Sequence, residues 1–148
     1  NPGKRLIKSP KLYFQDTGLL LYLFGFRTWT DVMANAAWGA IWENIVVSEC
    51  RKAVLNAGQA TSLYYWRTVN GEEVDVLIET GHRRVIAMEV KASERPGTDD
   101  LKGLASFTRL YGPDVMESQA VVCRTSAGYP LGASGCRAVS LHEAVGLL

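Results

Sequence analysis

Asn70-Gly71 separates two runs with strand character, Ser62 to Arg67 and Glu73 to Glu79. A dipeptide of that kind is the strongest short-range sign of an antiparallel hairpin, because Asn and Gly accept the positive φ that a tight hairpin turn demands. A third run, Val85 to Lys91, follows after Gly81-His82, which does similar turning work. A three-strand meander with an apolar face must be covered by another layer, so it dictates much of what the rest of the chain does. The other periodic segments supply the cover. Asp31 to about Asn56 reads as one long helix ended by Gly58, and Asp99 to Tyr111 as another. Asp16 is placed to cap a short helix running to about Phe24, with Gly25 as its stop. Lys11 to Phe14 reads as a short strand, Gln119 to Arg124 as a further strand, and Ala138-Val139 as a last one before a helix capped by Ser140. Thr125 to Gly135, rich in Gly, Pro, Ser and Ala, reads as a loop. The expectation is an α/β sandwich of three layers, with a central mixed sheet flanked by helices.

A chain of 148 residues fits one domain with a real core. Its formal net charge of +1 excludes a strongly basic protein that coats nucleic acid, while leaving room for a local basic patch. The three cysteines, Cys50, Cys123 and Cys136, form no close pair, which points to a reducing cytoplasm rather than a disulfide framework or zinc site. The longest apolar stretch, Leu19 to Phe26, is too short to span a bilayer, and no signal peptide is legible. The opening at Asn1 reads as mid-protein sequence, so an excised domain is expected.

The chemistry concentrates on four residues. On the third strand Val85, Ala87, Glu89 and Lys91 share one face, and Ile86, Met88 and Val90 the other. Glu89 and Lys91 therefore project side by side, roughly 6.5–7 Å apart along the strand. On the second strand, simple alternation puts Val74, Val76 and Ile78 on the buried face and Asp75 with Glu89 and Lys91. Helical phase puts Glu43 among Ala36, Gly39, Val46, Val47, Cys50 and Val54, an apolar stripe where a carboxylate is costly without a partner. Glu49 falls on the polar side of that helix.

A pair of carboxylates binds Mg²⁺ while leaving open positions for water and a phosphate oxygen. A lysine beside such a pair orients or deprotonates a water, or neutralises charge that develops during reaction. Each residue also has an innocent reading. Glu-x-Lys on a strand is usually a solvated face, Asp75 can pair with Arg67 or Lys91, and Glu43 can be a buried acid held by an ion pair. The conjunction is more specific than its parts.

That conjunction of Glu43, Val74-Asp75 and Glu89-Val90-Lys91 resembles the PD-(D/E)xK nuclease superfamily, with its restriction-endonuclease-like fold. Asp75 and Glu89 are fourteen positions apart, within the superfamily's usual range, and Val74 stands where the superfamily name has Pro. Lys11-Leu12-Tyr13-Phe14-Gln15-Asp16-Thr17-Gly18-Leu19, Trp42-Glu43-Asn44, Tyr65-Trp66-Arg67-Thr68, Glu73-Val74-Asp75 and Glu89-Val90-Lys91 resemble, more closely, the C-terminal domain of a prokaryotic AAA+ ATPase family, known as domain of unknown function 4143. This resemblance runs from about Lys11 to Tyr111. It implies residues 15–148 as the nuclease-like domain and residues 1–14 as the tail of a preceding winged-helix-like segment. It implies Mg²⁺ or Mn²⁺ as cofactor, with Asp75, Glu89 and Glu43 as ligands and Lys91 as the fourth catalytic residue. It also implies an upstream ATPase domain as partner, with DNA as the candidate substrate and oligomerisation open. No Gly-x-x-x-x-Gly-Lys-Ser/Thr loop is present, so ATP hydrolysis is not expected of this chain alone. The resemblance allows an enzyme or a non-cleaving DNA-binding or assembly module.

Further residues carry two readings each. Arg67 contacts a phosphate or pairs across the hairpin with Glu73 or Asp75. Lys102 sits where some superfamily members carry an auxiliary polar residue, or is a solvated helix lysine. Lys4, Arg5, Lys8 and Lys11 touch a DNA backbone or form a solvated end. Tyr64, Tyr65 and Trp66 stack on bases or pack in the sheet. His82 and His142 have no partner spacing and are assigned to nothing.

Overall fold

The computed structural model describes residues 10–60, 62–81, 83–132 and 135–148. The meander expected from the turn signals is its centre. β1 (Leu63–Arg67), β2 (Glu73–Gly81) and β3 (Arg84–Val90) pair antiparallel in that order. The first turn closes through Thr68 N–H donating to the Glu72 carbonyl at 2.9 Å, with Gly71 at a φ of 84° that favours glycine. β4 (Met116–Val122) then lies parallel to β3, which makes the sheet mixed, and β6 (Arg137–Val139) lies parallel to β4. The two-residue β5 (Tyr129–Pro130) pairs with β6 inside the segment expected to be loop. The sheet has six strands in the order β1-β2-β3-β4-β6-β5.

Helices cover both faces. α3 (Trp38–Asn56) and α5 (Leu141–Val145) pack on one, where Val46, Cys50, Val54 and Ala144 meet Val76, Ile78, Ile86 and Met88. α4 (Lys102–Tyr111) packs on the other, where Leu104 and Phe107 meet Trp66, Val74, Leu77, Ala87 and Val121. The fold is α/β, a mixed six-stranded sheet flanked by helices. Two short helices, α1 (Thr17–Leu23) and α2 (Trp29–Ala34), precede α3. Asp16 caps α1 as expected, accepting from the Leu19 amide at 2.9 Å, and Ser140 caps α5.

Three expectations need correcting. The long helix from Asp31 to Asn56 is two helices. Thr28 caps α2, with Asp31 completing the capping box, and α2 stops where Asn35 turns extended (ψ 142°) and its side chain accepts from the Ala37 amide at 2.8 Å. An Asn that bonds its neighbouring backbone competes with helix, and here it wins. Lys11–Phe14 is not a strand of the sheet, because both polar backbone groups of Phe14 bond the Asn44 side chain instead of a ladder partner. The simple alternation along β2 also fails. Tyr64 pairs with Leu77 but Trp66 with Val74, so β2 carries an extra residue around Asp75 and Val76. The bulge turns Val74 onto the α4 face with Leu77, while Val76 and Ile78 face α3.

Candidate functional site

The β2–β3 ladder ends at the pair Val76–Met88. One residue further along, where the two strands part, stand Asp75 and Glu89. The Val90 amide, which points towards β2, is taken up by Asp75 Oδ2 at 2.9 Å. A side chain thus continues what the backbone ladder leaves off, and it holds the Asp75 carboxylate at the opening. On its other edge β3 stays fixed, with the Lys91 amide donating to the Val122 carbonyl at 2.9 Å.

Glu89 is 8% exposed. Its Oε1 accepts from Lys91 Nζ at 2.7 Å, whereas Oε2 is buried without a hydrogen-bond partner. Burial first, and then the negative charge of Asp75, push the Glu89 carboxyl up to about 7, against the pull of Lys91. Asp75 is raised likewise, by burial and by the charge of Glu43, with the Val90 amide and Lys11 opposing. For Lys91 burial favours the neutral amine, but the hydrogen bond and charge of Glu89 outweigh it and raise its pKa. Lys91 is therefore an ammonium at neutral pH, a donor of charge and hydrogen bonds rather than a base.

Glu43, half-buried on α3, faces the same opening and is held from the chain's first described residues. Lys11 Nζ donates to Glu43 Oε1 at 2.8 Å and reaches Asp75 Oδ1 at 3.4 Å, and it also pairs with Glu73. Tyr13 Oη donates to Glu43 Oε1 at 2.6 Å. The Lys11 ammonium further lies 5.1 Å from the centre of the Tyr65 ring. Burial opposes the charge on Lys11, yet its carboxylate partners prevail and raise its pKa well above the ordinary lysine range. A cavity of about 350 Å³ opens beside this cluster, lined by Pro10, Lys11, Tyr13, Val47, Tyr65 and Asp75 among others.

α4 approaches the opening from the opposite face through Gly103. A Cβ there would lie 1.7 Å from the Glu73 carbonyl oxygen and 3.3 Å from Glu89 Oε2. Only glycine permits the helix to sit this close to the edge of the acidic site.

The family model described as a domain of unknown function (DUF4143) matches residues 38–144. The chain belongs to the DUF4143 family. The matched range takes in Glu43, Asp75, Glu89 and Lys91 and leaves Lys11 and Tyr13 ahead of it. It begins later than the resemblance read from the sequence and extends beyond Tyr111, through β4, β6 and most of α5. Uncharacterized proteins of Mycobacterium bovis and of Mycobacterium tuberculosis are each 38% identical over 96 residues, which is 65% of this chain and 21% of theirs. The match thus spans about a fifth of the length of these curated relatives. No solved structure matches the chain.

The DUF4143 domain draws the expected residues together unequally. Asp75, Glu89 and Lys91 meet where β2 and β3 part, and Glu43 joins through Lys11. No group of three or more His, Cys, Asp or Glu side chains converges as a metal cluster among the described residues. Arg67 pairs with Glu73 at 3.5 Å, the across-hairpin reading. Lys102 is a solvated helix lysine paired with Asp99 at 3.0 Å. Glu49 pairs with Lys52 on the surface of α3. Trp66 is core, edge-on to Phe107, whereas Tyr64 is exposed. Lys11 corrects the expectation of a solvated basic end, since it is the most heavily paired lysine of the site. Its companions Lys4, Arg5 and Lys8 lie outside the described residues, as do His82 and most of the expected winged-helix tail. Tyr13 and Glu73 were missed as site residues. One signal was available: Lys11 and Tyr13 are two apart in an extended segment and so share a face. No helix among the described residues is long and apolar enough to cross a membrane.

Proposed function

We propose that this DUF4143 domain is a nuclease domain of the PD-(D/E)xK type that hydrolyses DNA phosphodiesters with Mg²⁺ or Mn²⁺. The observation that carries the reading is the Asp75–Val90 bond, which fixes one carboxylate at the parting of the strands beside a second, buried carboxylate with a vacant oxygen. The charge of Asp75 helps raise the pKa of Glu89 in a buried corner, so the two acids form a donor set whose repulsion a divalent cation relieves. The residues fit such an ion as a carboxylate pair completed by water, the usual habit of Mg²⁺, and not as an all-protein cage. Asp75 and Glu89 would hold it, with Glu43 at the margin. When bound, the ion would polarise the phosphate and acidify a water. The other roles belong to the chain. Lys91, kept charged by Glu89, orients the attacking water and offsets charge that develops on the phosphate. Asp75 is held in orientation by the Val90 amide. α4, pressed close through Gly103, shuts the α4 side of the corner to bulk water.

The test is cleavage of linear and supercoiled DNA with Mg²⁺ or Mn²⁺. Activity is expected in the wild type and lost in Lys91→Ala and Asp75→Ala. Full activity in Lys91→Ala, or none in the wild type under either metal, removes the reading.

A second reading is a non-cleaving assembly module within a longer protein, with the ATPase domain implied by the resemblance as its neighbour. The exposed apolar side chains of the N-terminal helices, Leu19, Tyr22, Leu23, Phe24 and Trp29, favour it, as does Leu12 at 94% exposure. Stable association through this surface, with no cleavage of any DNA form, is what this reading expects. A cytoplasmic setting accords with three buried free thiols.

A further inference from the structure

The Lys11 ammonium already occupies part of the acidic site. It reaches Glu43 at 2.8 Å and Asp75 at 3.4 Å, pairs with Glu73, and lies against the Tyr65 ring. Its side chain is 24% exposed, so solvent does not compete strongly for these contacts. The segment that carries it is anchored on α3 and belongs to no strand. The Phe14 amide donates to Asn44 Oδ1 at 2.7 Å, the Asn44 amide donates back to the Phe14 carbonyl at 3.0 Å, and Tyr13 donates to Glu43. Residues 10–16 therefore form a strap that grips Glu43 through Lys11 and Tyr13, Glu73 through Lys11 and, at longer range, Asp75. The buried Oε2 of Glu89 remains without a partner, so the lysine satisfies only one side of the acidic corner.

We propose that Lys11 is a built-in competitor for the cation: it neutralises Glu43 and Asp75 in the free domain, and binding of a divalent ion is coupled to release of the strap. The inference rests on the carboxylate-pair reading given above. Asp75 is shared, since Lys11 holds one of its oxygens and the Val90 amide the other. An ion that takes Asp75 together with Glu89 competes with Lys11 for the negative charge of Asp75, and an ammonium cannot stay beside a divalent cation without repulsion. The coupling is reciprocal, so whatever displaces the strap tightens cation binding, and the cation loosens the strap. Tyr13, which shares the Glu43 oxygen with Lys11, leaves with it.

The test is a calorimetric Mn²⁺ titration of the wild type, Lys11→Met and Lys11→Arg, with circular dichroism confirming that each is folded. Lys11→Met is expected to bind Mn²⁺ at least about tenfold more tightly than the wild type, and Lys11→Arg to match the wild type. Equal or weaker binding by Lys11→Met overturns the inference and leaves the metal site standing. Binding by Lys11→Met but not by the wild type upholds the inference and removes the resident metal site from the intact domain. Binding by neither overturns both. Should Lys11→Met fail to fold, trypsin cleavage of the Lys11–Leu12 bond in the wild type decides the matter. Excess Mn²⁺ is expected to speed that cleavage, and an unchanged rate overturns the coupling.

Discussion

Asp75 Oδ2 accepts the Val90 amide at 2.9 Å, one residue beyond the last backbone pair between β2 and β3. The Asp75 carboxylate thereby serves as a structural bond of the sheet. Asp75→Ala leaves a buried donor unmatched, at a cost of about 1–3 kcal/mol. It also relieves repulsion with Glu89 and Glu43, which offsets part of that loss. Asp75→Asn keeps an acceptor for Val90 and sheds the charge. Urea unfolding is expected to rank Asp75→Asn as more stable than Asp75→Ala, and the reverse order removes the structural role assigned to the bond.

Glu89 makes stability depend on pH. Its carboxyl is raised to about 7 in the folded chain, so the folded state binds the proton more tightly than the unfolded state does. The associated stabilisation is full below the ordinary glutamate range and is lost as pH climbs to about 7. The loss is on the order of 3 kcal/mol or less. Wild-type stability relative to Glu89→Gln is expected to fall between pH 4.5 and 7 and to level off above. Parallel curves for the two proteins across that window contradict the assignment.

Gly103 is a single-atom test of how α4 meets the site. A methyl group there would overlap the Glu73 carbonyl, at 1.7 Å, which no side-chain rotation relieves. Gly103→Ala must push α4 away from β2 and is expected to cost about 1–3 kcal/mol or more, despite the better helix propensity of alanine. Thermal melting checks this, since a variant that melts at or above the wild-type temperature would mean the helix sits further from the sheet.

Asn44 is 5% exposed and clasps Phe14 through two hydrogen bonds. Asn44→Ala is expected to free the strap while leaving the sheet intact, at a cost of about 1–3 kcal/mol. Hydrogen exchange should show faster exchange at Phe14 and its neighbours, with β2 and β3 amides protected as before. Unchanged protection at Phe14 counts against the clasp.

Local chemistry wrote much of this protein openly. Asn70-Gly71 announced the hairpin, Asp16 and Ser140 announced helix starts, and the Glu-x-Lys strand placed Glu89 beside Lys91, because caps, turns and alternation depend on neighbours in sequence. The strand parity of Asp75 was not legible, because the bulge beside it is decided by pairing with β1 rather than by β2 itself. The break at Asn35 was hidden for a simpler reason, since its helical neighbours on both sides look continuous.

By itself, then, the sequence determined the three-strand meander and the caps of α1 and α5, and it singled out Glu43, Asp75, Glu89 and Lys91 as candidates. Only the tertiary structure decided that Asp75 bonds the Val90 amide, that Glu89 keeps a buried oxygen unpaired, and that Lys11 fills the space between Glu43 and Asp75. Lys11 and Asp75 lie sixty-four residues apart, so nothing in the neighbourhood of either could foretell the contact. The physical reason is that a buried charge takes its meaning from whatever the fold carries to within a few ångströms of it.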